Sequence, residues 1–357
     1  QNVTLTGTGN YTGGTFSSTT GLSINATTGA ITPSTSTPGT YVVTYTIPAG
    51  SSCLPVQTQT NVTITPKPVM TYTVTTPICD GSALNFVLSS NVPGTTYTWD
   101  ASNNGLTGFN ASGTQANINQ VVNLTNPMVG GTITMVILPS ANGCTGDPVT
   151  VNLVVNPNPV ISSITVEDAQ ICAGSQVHID VDGEPTGLTY TWTAVNNNGV
   201  IITSGTYSGT SLNGSLNLQL TTNSPTTIGT IQFEFTPIRN GCVGTPVLSE
   251  VITVNPIPGT PIGLPVAEIC SEEITNLQIS ENLNIPGTIL EWEVINSQNV
   301  TGFTPTGSGA TPILIADTLV NDSNVQGFVI YRVKTVLGEC EGPFTDFTVL
   351  VNPLPKP

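Results

Sequence analysis

Apolar residues recur at every second position through long stretches of this chain. Val177, Ile179 and Val181 alternate with polar neighbours, as do Leu216, Leu218 and Leu220, and Ile231, Phe233 and Phe235. A period of two puts one row of side chains on each face of a pleated strand, so these stretches predict half-buried antiparallel β-strands. No run has the spacing of an amphipathic helix, and no apolar stretch reaches the roughly 18–20 residues of a membrane-spanning helix. With 28 Pro and 36 Gly, the strands must be short and broken by many turns. The pattern predicts an all-β protein.

The strands are organised by a repeat. "SSCLPVQTQTNVTITPKP" (51–68), "NGCTGDPVTVNLVVNPNP" (142–159), "RNGCVGTPVLSEVITVNPIP" (239–258) and "GECEGPFTDFTVLVNPLP" (338–355) are variants of one phrase. Its cysteines, Cys53, Cys144, Cys242 and Cys340, lie 91, 98 and 98 residues apart. A fixed period near a hundred residues means tandem domains. The proline pairs Pro66/Pro68, Pro157/Pro159, Pro256/Pro258 and Pro353/Pro355 place the boundaries, giving 1–68, 69–159, 160–258 and 259–357. Proline fixes φ and extends the residue before it, so these connectors are short and stiff. Stiff joints between sandwiches predict an elongated rod. The first repeat lacks its opening part, and the chain starts at Gln1 in mid-phrase, reading as a mature fragment of something longer.

Landmarks keep their order within each full repeat. An opening cysteine (Cys79, Cys172, Cys270) is followed 20, 20 and 22 residues later by Trp99, Trp192 and Trp292. A strand beginning at Gly131, Gly229 or Gly327 then starts 13 residues before each closing cysteine. A large ring on a mid-sheet strand fills the gap between two packed sheets, so the three tryptophans are expected in the cores. About seven short strands per repeat with Cys and Trp landmarks argue for an immunoglobulin-like β-sandwich. Pairing within each repeat gives Cys79–Cys144, Cys172–Cys242 and Cys270–Cys340, and leaves Cys53 to a partner upstream of Gln1. The alternative, opening cysteine of one repeat to closing cysteine of the next, stays open. The opening cysteine precedes the strand that should hold it, so the expected bridge is a clamp near one end of the sandwich. Disulfides imply an oxidising, extracellular compartment.

Charge narrows the function. Only 7% of residues are charged, and 21 acids against 5 bases give a net charge of -16. Nucleic-acid binding needs clustered Lys and Arg and is excluded. Acids rise along the chain, from none in 1–68 to eleven in 259–357, which reads as solubility for a Thr/Asn/Gly-rich surface.

The residues "PICDGSALNFVLSSNVPGTTYTWDAS…NGCTGDPVTVNLVVNP" resemble the PKD-like, immunoglobulin-like repeats of very large Bacteroidota cell-surface proteins. "YTGGTFSSTTGLSINATTGAITPSTSTPGTYVVTYTI" is similar to the companion repeat of gliding-motility adhesins of the SprB type. The resemblance covers essentially the whole chain. It implies a parent exported by type IX secretion and moved along the bacterial cell surface as a mobile adhesin. It also implies contact with the outer-membrane secretion and motility machinery, and O-glycosylation at an Asp-Thr-Leu site, here Asp317-Thr318-Leu319.

Catalytic chemistry is sparse. Catalysis needs a nucleophile with a base, or opposed carboxylates, in a rigid pocket. The single histidine, His178, alternates with Val177 and Ile179 and should face solvent beside Asp180. Glu272/Glu273 and Glu291/Glu293 have no evident cleft, so no enzyme activity is expected. One cation candidate stands out: Asp180, Asp182 and Glu184 in "HIDVDGEPTG" could gather hard oxygen ligands for Ca²⁺ at a strand end. Cysteines at least 26 residues apart offer no zinc site, and no other cofactor is expected. The expected function is therefore a stalk or spacer in a long extracellular adhesin, its neighbours in the chain its first partners. Adhesion to polysaccharide or solid surfaces by the repeats themselves, or self-association into filaments, is the competing reading.

Overall fold

The computed structural model describes residues 2–6, 12–50, 53–264 and 268–355. Apart from one short 3-10 turn at Pro33–Thr35, its regular elements are all β-strands. The chain divides into two compact units, Gln1–Pro157 and Asn158–Pro357, and each contains two separate hydrophobic cores.

In the second unit, one sheet orders Val160–Val166, Gln176–Glu184, Ser215–Thr222 and Val200–Ser204. A second sheet orders Gln170–Cys172, Ile252–Asn255, Gly229–Arg239, Thr189–Asn198 and Ser208–Leu212. Val177, Ile179, Val181, Leu216, Leu218 and Leu220 from the first sheet meet Ile231, Phe233 and Phe235 from the second in one core. These are the residues that the alternation marks as inward. The following sandwich packs Leu277, Ile279, Ile313 and Ile315 against Leu290, Val329, Val333 and Val349. In the first unit the same arrangement surrounds Phe86, Ile133, Met135 and Ile137. The smaller core ahead of it gathers Phe16, Tyr41, Val43 and Tyr45 around the three-stranded sheet Thr15–Ser18, Gly39–Ile47 and Val56–Ile64.

The tryptophans divide. Trp99 is 2% exposed and belongs to its core, whereas Trp192 and Trp292 are half-buried and pack against theirs from the margin. Each faces a glycine on the neighbouring strand: Trp99 opposite Gly113, Trp192 opposite Gly209 and Trp292 opposite Gly307. A Cβ at those glycines would come within 2.2, 2.0 and 2.1 Å of the indole, so the ring occupies the space that a side chain would need.

One strand sets the length of each PKD-sized sandwich. Gly131–Ala141, Gly229–Arg239 and Gly327–Leu337 each run 11 residues, or about 33 Å at the usual rise. The opening cysteine lies at one end of this strand: Cys172 sits opposite Asn255, next to the Gly229–Val254 pair. The closing cysteine lies at the other, with Cys242 opposite Arg239. Cys79 and Cys144, and Cys270 and Cys340, occupy the same two ends of their own sandwiches. A disulfide needs Cα atoms within about 7 Å, so the two cysteines of one repeat cannot meet.

Candidate functional site: the joint between adjoining sandwiches

The cysteine pairing within repeats is therefore corrected. Cys172 bonds to Cys340, with Cα atoms 5.5 Å apart and 168 residues between them in sequence. This rules out Cys172–Cys242 and Cys270–Cys340. Cys144 and Cys270 are free thiols, which removes Cys79–Cys144 as well, and Cys53 is also free. Cys79 and Cys242 are themselves disulfide-bonded. The bridge does clamp the end of a sandwich, but the end it clamps is the joint with the next one.

The connector Pro256–Gly259 is held from several sides. Pro256, Pro258 and Gly259 are buried while Ile257 faces outward. The Gly259 N–H donates to Glu281 Oε1 at 2.6 Å, and the Thr335 hydroxyl donates to the Gly259 carbonyl at 2.7 Å. Glu281 is 1% exposed, and it also accepts from the N–H groups of Leu283 and Ile285, both at 3.0 Å. A buried carboxylate is tolerated when backbone donors surround it. Sequence reading did not single out Glu281. Its signal was an acid immediately before the "NLNIPG" turn, which resembles any solvated loop acid.

Glycine forms the seat of the connector. Gly342, two residues past Cys340, lies so close to Pro258 that a Cβ would fall 2.5 Å from the proline carbonyl oxygen. Gly146 stands in the same relation to Pro68, at 2.3 Å, and Gly244 to Pro159, at 1.9 Å. The Cys-x-Gly phrase thus combines a closing cysteine with a hairpin flat enough to lie on the incoming proline. In the first unit the hairpin also places Cys144 Sγ 3.0 Å from Thr65 Oγ1, and Lys67 pairs with Asp147.

The other candidate residues lie away from this joint. Asp180, Asp182 and Glu184 are exposed, on the outer face of strand Gln176–Glu184. Asp180 pairs with His178 and Asp182 accepts from Ser163. Among the described residues no three His, Cys, Asp or Glu side chains gather as a metal site requires, so the Ca²⁺ triad is not brought together. Asp317 of the Asp-Thr-Leu run is buried, and it accepts from the Tyr331 hydroxyl and from the Thr304 N–H and hydroxyl. Thr318 beside it is exposed.

His178 stands between two acceptors, with Nδ1 2.6 Å from Asn217 Oδ1 and Nε2 3.0 Å from Asp180 Oδ1. Only the imidazolium donates from both nitrogens, so the Asn217 contact, followed by the Asp180 charge, raises its pKa above the ordinary 6.5. A raised folded value means that any stabilisation is complete below pH 6.5 and is lost as pH rises through the folded pKa. An NMR titration of the single histidine should give a midpoint above that of an unfolded control, and Asn217→Ala should lower it. A native midpoint at or below the unfolded one would refute the arrangement.

The outer face of the last sandwich carries the other concentration of charge. Glu291, Trp292, Glu293, Arg332, Lys334 and Phe344 line a shallow depression of about 530 Å³. Arg332 forks onto Asp346 at 2.8 and 2.9 Å, with its guanidinium 5.9 Å from the Phe344 ring centre. That pairing holds the Asp346 carboxyl below its usual range. Lys334 pairs with Glu291 and Glu341.

Similar solved structures include the protocadherin gamma B2 extracellular cadherin domains 3–6, at 12% identity over 95% of this chain and 92% of that one, with a TM-score of 0.31. The N-terminal eight Ig domains of Down syndrome cell adhesion molecule align at 12% identity over 89% and 40% of the two chains, with a TM-score of 0.35. Drosophila N-cadherin EC1–4 aligns at 12% over 96% and 92%, with a TM-score of 0.30. No curated protein sequence matches. The PKD-like domain matches three times, over residues 76–159, 169–258 and 267–355. Each match begins shortly before an opening cysteine and ends at a proline pair, and together they take in most of the sequence: the chain belongs to the PKD-like domain family.

Proposed function

We propose that this chain is a spacer segment of an extracellular bacterial cell-surface adhesin, of the mobile, type IX-secreted kind found in gliding Bacteroidota. Its task in this reading is to hold an adhesive part away from the cell and to transmit force to it. The observation that carries the reading is the Cys172–Cys340 bond across a joint whose connector is already clamped. A single backbone tether leaves a hinge between two domains, whereas a second covalent tether removes most of its freedom. Neither binding nor catalysis requires such a joint, and a joint held at two points suits load-bearing.

The exposed Phe344 beside Arg332, above the depression at Trp292, favours a second reading in which the last repeat grips polysaccharide. The two readings separate in one experiment. The oxidised chain is presented to a panel of polysaccharides and to glass and polystyrene, with a reduced sample and a Phe344→Ala variant alongside. The spacer reading expects no saturable binding from folded, oxidised protein. Saturable binding that Phe344→Ala abolishes would overturn it in favour of the second.

A further inference from the structure

Every PKD-like sandwich here presents an opening cysteine at its downstream end and a closing cysteine at its upstream end. The downstream ends are built alike. Cys79, Cys172 and Cys270 sit opposite Asn156, Asn255 and Asn352, the residues that precede the Pro-x-Pro connectors. The residue after each cysteine donates its N–H to that asparagine's carbonyl, at 2.9, 2.8 and 2.8 Å. At one of these ends the use of the arrangement is visible. Cys172 is bonded to Cys340 of the following sandwich, and Asn255 is buried, with Gly338 of the same closing hairpin close against it. Cys270 has the same register and the same neighbours, yet it is an exposed free thiol, and Asn352 is only half-buried.

We propose that Cys270, with Asn352 and the connector Pro353–Pro355, is the docking site for the closing hairpin of a further PKD-like domain, and that Cys270 forms a disulfide with its closing cysteine. Cys144 supports the same rule from the upstream side. It is a closing cysteine set against Thr65, which precedes the Pro66/Pro68 connector as Asn255 precedes Pro256/Pro258. Residues 1–52 contain no cysteine, and Cys144 is a free thiol. The bond forms by exchange with a small-molecule disulfide such as oxidised glutathione. The two protein thiols lose two protons and two electrons to become one S–S bond, and the oxidant is reduced to two thiols. The site is independent of whether the array itself binds a surface.

The test is the full chain with a second copy of residues 259–355 joined directly after Pro355, prepared in a buffer of oxidised and reduced glutathione. Non-reducing peptide mapping should find Cys270 bonded to the closing cysteine of the appended copy, with Cys172–Cys340 retained. Cys270→Ser in this longer chain should make that closing cysteine alkylatable and leave Cys172–Cys340 untouched. Limited proteolysis reports separately that the appended copy has folded. Cys270 remaining alkylatable beside a folded appended copy, or bonding to Cys270 of another molecule, would overturn the proposal.

Discussion

Cys340→Ser should lower the unfolding midpoint of the last sandwich far more than any substitution in its connector. When that sandwich unfolds alone, Cys172 remains fixed beside Asn255 in the folded neighbour. The bond therefore closes an unfolded loop of roughly 85 residues, from Asn255 to Cys340, for which chain entropy gives about 4–5 kcal/mol. For a domain near a hundred residues, this corresponds to a midpoint lower by on the order of 15 °C or more. Cys340 is 1% exposed, so serine would also bury a hydroxyl. Cys172→Ser, which is half-exposed in its own sandwich, separates the two effects. Scanning calorimetry should show that Cys172→Ser destabilises the last sandwich, where its partner lies, as well as the third, where it lies itself, because the bond closes a loop of similar length in either. Loss confined to the third would mean that the bond does not cross the joint.

The location of this bond also shows how far the sequence could be read. The alternation of Val177, Ile179 and Val181 and of Ile231, Phe233 and Phe235 revealed the strands and their buried faces, because burial of one face leaves a local period-two trace. The proline pairs and the closing cysteines revealed the repeat. The pairing of those cysteines was misread because sequence separation carries no direction. An interval of 13 residues from Gly229 to Cys242 already implied a strand about 33 Å long between the opening and closing positions. What was missing was the parallel pairing that returns Cys172 to the C-terminal strand at Asn255, and a parallel pair leaves no local mark. Tryptophan was read better in the first PKD-like repeat than in the others. Trp192 and Trp292 are half-buried although, like Trp99, each faces a glycine on the adjacent strand. Buried acids were not legible at all. Glu281 and Asp317 look like the solvated acids around them, and they differ only in the donors that the fold brings to them.

Asp317→Ala should therefore be among the most damaging substitutions of a polar residue in the last sandwich. The carboxylate accepts from Tyr331 Oη at 2.6 Å, the Thr304 N–H at 2.9 Å and the Thr304 hydroxyl at 2.6 Å. Alanine leaves the hydroxyl of the fully buried Tyr331 without an acceptor, while the exposed Thr304 can turn its two donors to water. At about 1–3 kcal/mol for an unsatisfied buried group, the loss should be about 1–3 kcal/mol. The corresponding positions in the two preceding sandwiches, four residues after the strand-opening glycine, are Met135 and Phe233, which have no hydroxyl to satisfy. Tyr331→Phe consequently removes one donor and leaves the carboxylate its others, so it should cost about 1–2 kcal/mol. Combining it with Asp317→Ala should cost less than the sum, because the two side chains share a bond. The same pair sets an alkaline limit. Burial, then the Asp317 hydrogen bond, pushes the Tyr331 phenol far above its ordinary 10.0. A raised folded value keeps this stabilisation intact below the unfolded pKa and loses it as pH rises beyond about 10. Urea unfolding of the last sandwich at pH 7 and pH 11 should show a larger alkaline loss in the native chain than in Tyr331→Phe. Equal losses would place the phenol in solvent and remove the reason for a buried Asp317.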